Sequence, residues 1–311
     1  MPEFGQRLGN LDHHPLRPAS IQPRQHLQYF PSPLSHPDLL AKQVHKLRLT
    51  RFAAIGEITN LSIATTTRAD GVALAYHHLP GTTPTVVFLP GFASDMGGTK
   101  ATALQTFCVA NGQAMLRLDY SGVGASGGNF NDGTIGIWTA DAASVIAHAA
   151  PTGPLILAGS SMGGWIALLL ARLLAPRIAA MLLIAPAPDF TTELIEPNLT
   201  PADRHALARD GAFSPPSEYG PPVPITAKLI EDGRSHNVLN APIPILCPVR
   251  ILQGMADPDV PWRHSLKLTE ALQSQDVQLI FIKDGDHRLS RDEDLHLLTR
   301  TLAALLGQNP G

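Results

Sequence analysis

A mostly parallel α/β sheet, covered by helices on both faces and edged by an antiparallel hairpin, is the architecture these 311 residues predict. Three observations predict it. Thr85 to Leu89, Ala114 to Asp119, Leu155 to Ala158, Met181 to Ala185, Val249 to Gln253 and Val277 to Ile282 are apolar runs that alternate with helical stretches, as strands buried on both faces of a parallel sheet do. Leu61 to Thr67 and Val72 to Leu79 instead alternate in polarity, and Ala69-Asp70-Gly71 between them reads as a hairpin turn. A hydrophobic fraction of 44% over this length is ample for a sizeable core, in one large domain or two small ones.

From the N-terminus, residues 1 to about 55 are rich in Pro, His, Gln and Arg and show no sustained periodicity before Leu39 to Leu49. They are expected to form a disordered or loosely packed leader with one helix near its end. The leader's basic excess is that of an organelle transit peptide, but Pro15, Pro18, Pro23, Pro31, Pro33 and Pro37 would break the amphipathic helix such a peptide needs. His13, His14, His26, His36 and His45 lack paired ligand spacing, and His77-His78 on a strand point to opposite faces, so no metal is expected at either place. The α/β core is expected over 56–187 and 247–311. Between them, 188–246 breaks the alternation with Pro201, Pro215, Pro216, Pro221, Pro222 and Pro224 around short helical pieces carrying Leu194, Ile195, Leu207, Phe213, Leu229 and Ile230. An insertion of this length at the carboxyl end of a strand lies over the ligand crevice of an open sheet and is expected to be a lid.

A net charge of -3 gives no basic footprint for nucleic acid. The apolar stretch Trp165 to Leu174 is too short, and too interrupted by Arg172, to span a bilayer. Cys108 and Cys247 are the only cysteines, which excludes a disulfide scaffold and suits a reducing compartment. With no signal-peptide order near Met1, a cytoplasmic protein is expected. Nothing in the sequence sets an oligomeric state.

The chemistry centres on Leu155 to Leu174. Gly159-Ser160-Ser161-Met162-Gly163 fits G-x-S-x-G between a buried strand and an apolar helix, the nucleophile elbow. A strand that turns at once into a helix holds its central residue in a rare backbone conformation, and side chains two positions either side would collide, so Gly159 and Gly163 are steric requirements. The turn lifts the Ser161 hydroxyl off the sheet and aims the N–H of Met162, at the helix N-terminus, toward an oxyanion.

An elbow serine needs an acid and then a histidine after later strands. The run Val249 to Gln253 leads to Asp257, and Val277 to Ile282 leads to His287. Asp259 competes for the acid role, but it precedes a helix opening at Pro261 and is read as structural, through the helix dipole. Asp189, after Met181 to Ala185, is a third possibility. His148, His205 and His264 sit in helical runs and read as surface groups; Asp284 and Asp286 read as solvated turn residues. Leu89-Pro90-Gly91-Phe92 should supply the second oxyanion donor, the N–H of Phe92. Gly122-Val-Gly124-Ala-Ser-Gly127 spells a dinucleotide fingerprint, but a true one opens a helix at once and here the loop runs on to about Thr134. Gly97-Gly98-Thr99-Lys100 has Thr and Lys in the wrong order for a phosphate loop. No cofactor is expected.

Ser161, Asp257 and His287 in this order, with Leu89-Pro90-Gly91-Phe92 and Leu118 to Gly127, resemble the α/β-hydrolase superfamily. More narrowly, Gly98-Thr99-Lys100-Ala101, Gly159 to Trp165, Asp257 before Val260-Pro261-Trp262 and Asp286-His287-Arg288 resemble the family of mitochondrial depalmitoylases called α/β-hydrolase domain protein ten, with its bacterial relatives. The similarity runs from about Phe88 to Leu289; the leader has no counterpart and much of the lid differs. The resemblance implies an α/β-hydrolase fold and cleavage of acyl thioesters and carboxylic esters. The expected reaction is acyl transfer to water through an acyl-enzyme on Ser161, with His287 as base, Asp257 orienting it, and Phe92 and Met162 N–H groups receiving the oxyanion. Its partner is then a small-molecule acyl ester or thioester. A carboxylate would have to replace Ser161 in a dehalogenase of this fold, which excludes that chemistry. A carbon-carbon bond hydrolase with the same triad, and a binding protein that keeps the fold without turnover, remain alternatives.

Overall fold

The computed structural model describes residues 62–215 and 222–308. The expected leader, Leu61 at the start of the expected hairpin, and Pro216 and Pro221 of the expected lid lie outside the described residues.

The hairpin forms from β1 (Ala64–Thr67) and β2 (Ala73–Leu79), which pair antiparallel. The main chain then alternates through β3 (Thr82–Leu89), α1 (Thr99–Ala110), β4 (Gln113–Leu118), α2 (Ile135–Ala149), β5 (Leu155–Ser160), α3 (Met162–Leu173) and β6 (Ile178–Ile184). After the insertion it resumes with β9 (Val249–Gly254), α6 (Trp262–Ala271), β10 (Val277–Ile282) and α7 (Asp292–Leu305). The eight strands lie in the order β1-β2-β4-β3-β5-β6-β9-β10. From β4 to β10 every pairing is parallel, and β2 joins β4 antiparallel, so the hairpin forms the edge. Each expected run is found as a strand, with boundaries shifted by a few residues.

Alternation along the strands builds two cores. Leu155 and Leu157 of β5 point into one, with Trp138, Trp165 and Leu170 of α2 and α3; Ile156 and Ala158 point into the other, with Leu104 of α1 and Leu298 and Leu302 of α7. Because the strands run parallel, the turns after β3, β5, β6, β9 and β10 emerge at one end of the sheet, where open α/β sheets bind ligands.

The insertion after β6 comprises a π-helical turn (Thr191–Ile195), a 3₁₀ turn (Glu196–Asn198), α4 (Pro201–Asp210), the two-residue strands β7 (Ala212–Phe213) and β8 (Ile225–Thr226), and α5 (Ala227–Ser235). α4 begins with a reciprocal Thr200–Asp203 capping box and ends at Gly211 with φ 74°, both standard ways of satisfying terminal backbone groups. At its base, the fully buried carboxylate of Asp189 accepts the N–H groups of Val238 (2.8 Å) and Leu239 (2.7 Å), joining the two ends of the insertion. Burial pushes its pKa above the usual carboxylate value, partly countered by those amides.

Candidate active site

Ser161 sits between β5 and α3 with φ 54° and ψ −120°, outside the regions that side chains ordinarily allow. Its neighbours hold it there: its N–H donates to Ile184 O (2.9 Å), and its own carbonyl accepts from Gly164 N (2.8 Å) and Ala187 N (3.1 Å). The glycine requirement is steric. A Cβ on Gly159 would stand 2.3 Å from Gly163 O, and one on Gly163 would stand 2.1 Å from Leu89 O.

Two later turns converge on this hydroxyl. His287 Nε2 lies 3.0 Å from Ser161 Oγ, and His287 Nδ1 lies 2.8 Å from Asp257 Oδ2. Asp257, 8% exposed, also accepts the N–H groups of Asp259 (2.9 Å) and Val260 (2.8 Å) on Oδ1 and the Gln253 side chain (3.2 Å) on Oδ2. Those donors leave the carboxylate one orientation, with an oxygen facing the imidazole. Gln253 is fully buried at the end of β9, where it also donates to Val260 O and accepts from the Ser265 hydroxyl (2.7 Å). In the sequence Gln253 stands inside an apolar run; a lone amide closing such a run, shortly before Asp257, is its only signal.

The remaining candidates resolve differently. Asp259 stands two residues before Pro261, which precedes α6 without a side-chain cap. Its carboxylate lies within 4.8 Å of the Asp257 carboxylate and a His287 ring nitrogen. Asp189 is committed to the Val238 and Leu239 amides. His264 is not a surface group: it is 7% exposed, its Nε2 lies 2.7 Å from Pro188 O, and burial lowers its pKa. The amphipathic pattern of α6 could not tell its buried face from its exposed face at this position. His148 and His205 are exposed. Asp284 pairs with Arg291 (2.8 Å) and Asp286 caps the turn by accepting Leu289 N (2.9 Å). Within Gly122 to Gly127 the backbone closes on itself through Gly122 N to Gly127 O (2.8 Å), and Gly127 N bonds Ala73 O (2.8 Å) on β2.

Above Ser161 is a cavity of about 800 Å³. Phe92, Phe190, Leu194, Ile195, Val223 and Ile225 give it an apolar side, which is largely supplied by the insertion. The Phe92 ring packs at tilted and edge-on angles against Phe130, Trp138 and Phe190, with ring centroids 5.2 to 6.1 Å apart. Polar groups line it from α1 and the turn after β10: Thr99, Lys100, Arg288 and Ser290. Lys100 donates to the Arg288 carbonyl, and burial together with the Arg288 charge lowers its pKa to about 8. Phe92 and Met162 also line the cavity, beside Ser161. Met162 opens α3, where a first-turn N–H has no helical carbonyl to meet.

Comparison with known proteins finds relatives of this chain. A family described as serine aminopeptidase, S33 (Hydrolase_4) matches residues 81–219. The mitochondrial palmitoyl-protein thioesterase ABHD10 of Mus musculus is 38% identical over 275 residues, 87% of this chain and 91% of that protein. A crystal structure from Agrobacterium vitis S4 superposes with a TM-score of 0.75 at 45% identity, covering 78% of this chain and 97% of the other. The structure of α/β-hydrolase domain-containing protein 10 from mouse gives 0.74 at 38% identity, covering 79% and 98%. Among the described residues, no helix is long and apolar enough to cross a membrane.

Proposed function

The chain belongs to the α/β-hydrolase family of the ABHD10 thioesterases, and from that premise we propose that Ser161, His287 and Asp257 hydrolyse an acyl ester or thioester through an acyl-enzyme. The observation that carries the assignment is the unbroken contact from Asp257 Oδ2 through His287 to Ser161 Oγ, at 2.8 and 3.0 Å.

As Ser161 Oγ bonds to the acyl carbon, its proton passes to His287 Nε2, and the carbonyl π electrons become the oxyanion. The N–H groups of Phe92 and Met162 receive that charge. Asp257 accepts Nδ1–H, which fixes the tautomer with a free Nε2 lone pair and stabilises the imidazolium once formed. Collapse of the tetrahedral intermediate breaks the bond to the leaving oxygen or sulfur, which takes the proton from Nε2. Water then repeats the sequence on the acyl-enzyme, releasing the acid and restoring Ser161.

Residues 188–246 act as the lid, because they supply Phe190, Leu194, Ile195, Val223 and Ile225 to the cavity wall. That wall fits an aliphatic or aromatic acyl group. The free thiols Cys108 and Cys247 support the cytoplasmic placement, although the mouse relative is named as mitochondrial; fractionation of cells expressing the tagged chain separates the two compartments. For the chemistry, a fluorophosphonate probe should label the native chain and not Ser161→Ala. Absence of labelling in folded protein would leave only a binding role, and turnover of p-nitrophenyl esters and acyl thioesters of graded length separates ester chemistry from carbon-carbon cleavage.

A further inference from the structure

The donor loop after β3 makes few bonds of its own. Between Gly91 and Gly98 its internal bonds among the described residues are Ser94 N to Gly91 O (3.1 Å), Gly98 N to Asp95 O (3.3 Å) and Gly97 N to Asp95 Oδ1 (2.8 Å), and Ala93 sits at φ 54°, next to Phe92. An oxyanion donor works only when fixed beforehand; the Phe92 ring packed against Phe130, Trp138 and Phe190 anchors one end of the loop, and its Met96 end needs a hold of its own.

A charged pair beneath the loop supplies what the loop lacks. Arg117, on β4, and Asp119, just past its end, are 6% and 2% exposed. Asp119 Oδ1 accepts the N–H of Met96 (2.7 Å), and Arg117 donates to the Met96 carbonyl. Both polar groups of one buried loop residue are thereby held by side chains rooted in the central sheet. The second Asp119 oxygen accepts Ala125 N (2.8 Å), and the Ser126 hydroxyl donates to the Asp119 carbonyl (2.7 Å). The loop Gly122 to Gly127, which reads in sequence as a dinucleotide fingerprint, thus closes the far side of the carboxylate. Gly124 gives it room: a Cβ there would lie 2.2 Å from Asp119 Oδ2. Burial raises the Asp119 pKa and lowers that of Arg117, so each charge is held at a cost. In some proteins such buried charges fix a geometry that apolar packing leaves loose.

We propose that Arg117 and Asp119 are positioning residues which, by gripping both backbone groups of Met96, hold the Phe92 N–H in place to receive the oxyanion. The inference rests on the hydrolase reading above and on Phe92 as a donor. It gives the glycine-rich segment 122–127 a purpose in this chain that needs no nucleotide.

The test is Asp119→Asn, assayed on folded protein with p-nitrophenyl butyrate, an aliphatic trifluoromethyl ketone and the corresponding trifluoromethyl carbinol. The ketone adds Ser161 and places an oxyanion in the hole; the carbinol fills the same space without one. The expected result is a fall in kcat of about 10- to 100-fold with KM nearly constant, a matching rise in the ketone Ki, and no matching rise in the carbinol Ki. Gly124→Ala, which displaces the carboxylate and keeps its charge, should show the same split and serves if Asp119→Asn does not fold. Wild-type kcat in both variants, or ketone and carbinol weakened equally, overturns the proposal. A wild-type chain that neither turns over the ester nor binds the ketone overturns the hydrolase reading itself, which is a separate outcome.

Discussion

The turns at the carboxyl ends of β5, β9 and β10 and the insertion between β6 and β9 meet around one cavity, yet they are built by opposite rules. In the turns, short bonds fix the candidate residues: the Ser161 backbone is held by Ile184, Gly164 and Ala187, and the Asp257 carboxylate by the N–H groups of Asp259 and Val260 and the side chain of Gln253. The insertion is a chain of short helices and two-residue strands, fastened at its base by Asp189 and by Trp165 Nε1 to His236 O (3.1 Å). What it offers the cavity is apolar surface. Chemistry tolerates little displacement, and apolar complementarity tolerates a good deal. Substitutions in the turns should therefore change whether the reaction occurs, and substitutions in the insertion should change on what.

The largest effect expected is on turnover: Ser161→Ala and His287→Ala should each lower p-nitrophenyl butyrate hydrolysis by on the order of 10⁴-fold. Equal losses from an insertion variant would break the contrast. Gly163→Ala comes next, because its methyl would press on the Leu89 carbonyl at 2.1 Å. Overpacking of that kind costs about 1–3 kcal/mol, readable as a lower urea midpoint, and it should reduce kcat by moving the elbow. Phe190→Ala and Ile195→Ala should lower the ratio of kcat/KM for an octanoyl over an acetyl ester by about tenfold. An unchanged ratio would mean the acyl group lies elsewhere.

Asp189→Asn should have the smallest effect on the chemistry. It places an amide donor against two backbone N–H groups, at a cost of about 1–3 kcal/mol in unfolding free energy. Its sign with pH also follows. Burial raises the Asp189 pKa in the folded chain, so above the usual carboxylate value of about 3.9 the native state holds a proton that the unfolded chain has released. The Asp189 contribution to stability therefore declines as pH rises from there through the raised native value. Urea titrations across that window should show the decline in the native chain and lose its Asp189 part in Asp189→Asn.

The sheet was legible because its strands are continuous apolar runs separated by helical periodicity, a pattern that burial on both faces imposes. The elbow was legible because two backbones approach too closely for any Cβ, which compels glycine at 159 and 163. The order of Ser161, Asp257 and His287 followed from topology, since parallel strands deliver their following turns to one end of the sheet. Folding alone decided the rest, because contacts between distant segments leave no local pattern. The Asp259 carboxylate lies beside Asp257 and His287, and His264 is buried against Pro188. Gln253, bonded to the Ser265 hydroxyl, donates to Asp257, and Arg117 and Asp119 reach across to Met96, a residue more than twenty positions earlier. Spacing along a chain constrains neighbours in sequence; which buried polar groups satisfy one another depends on how the layers pack.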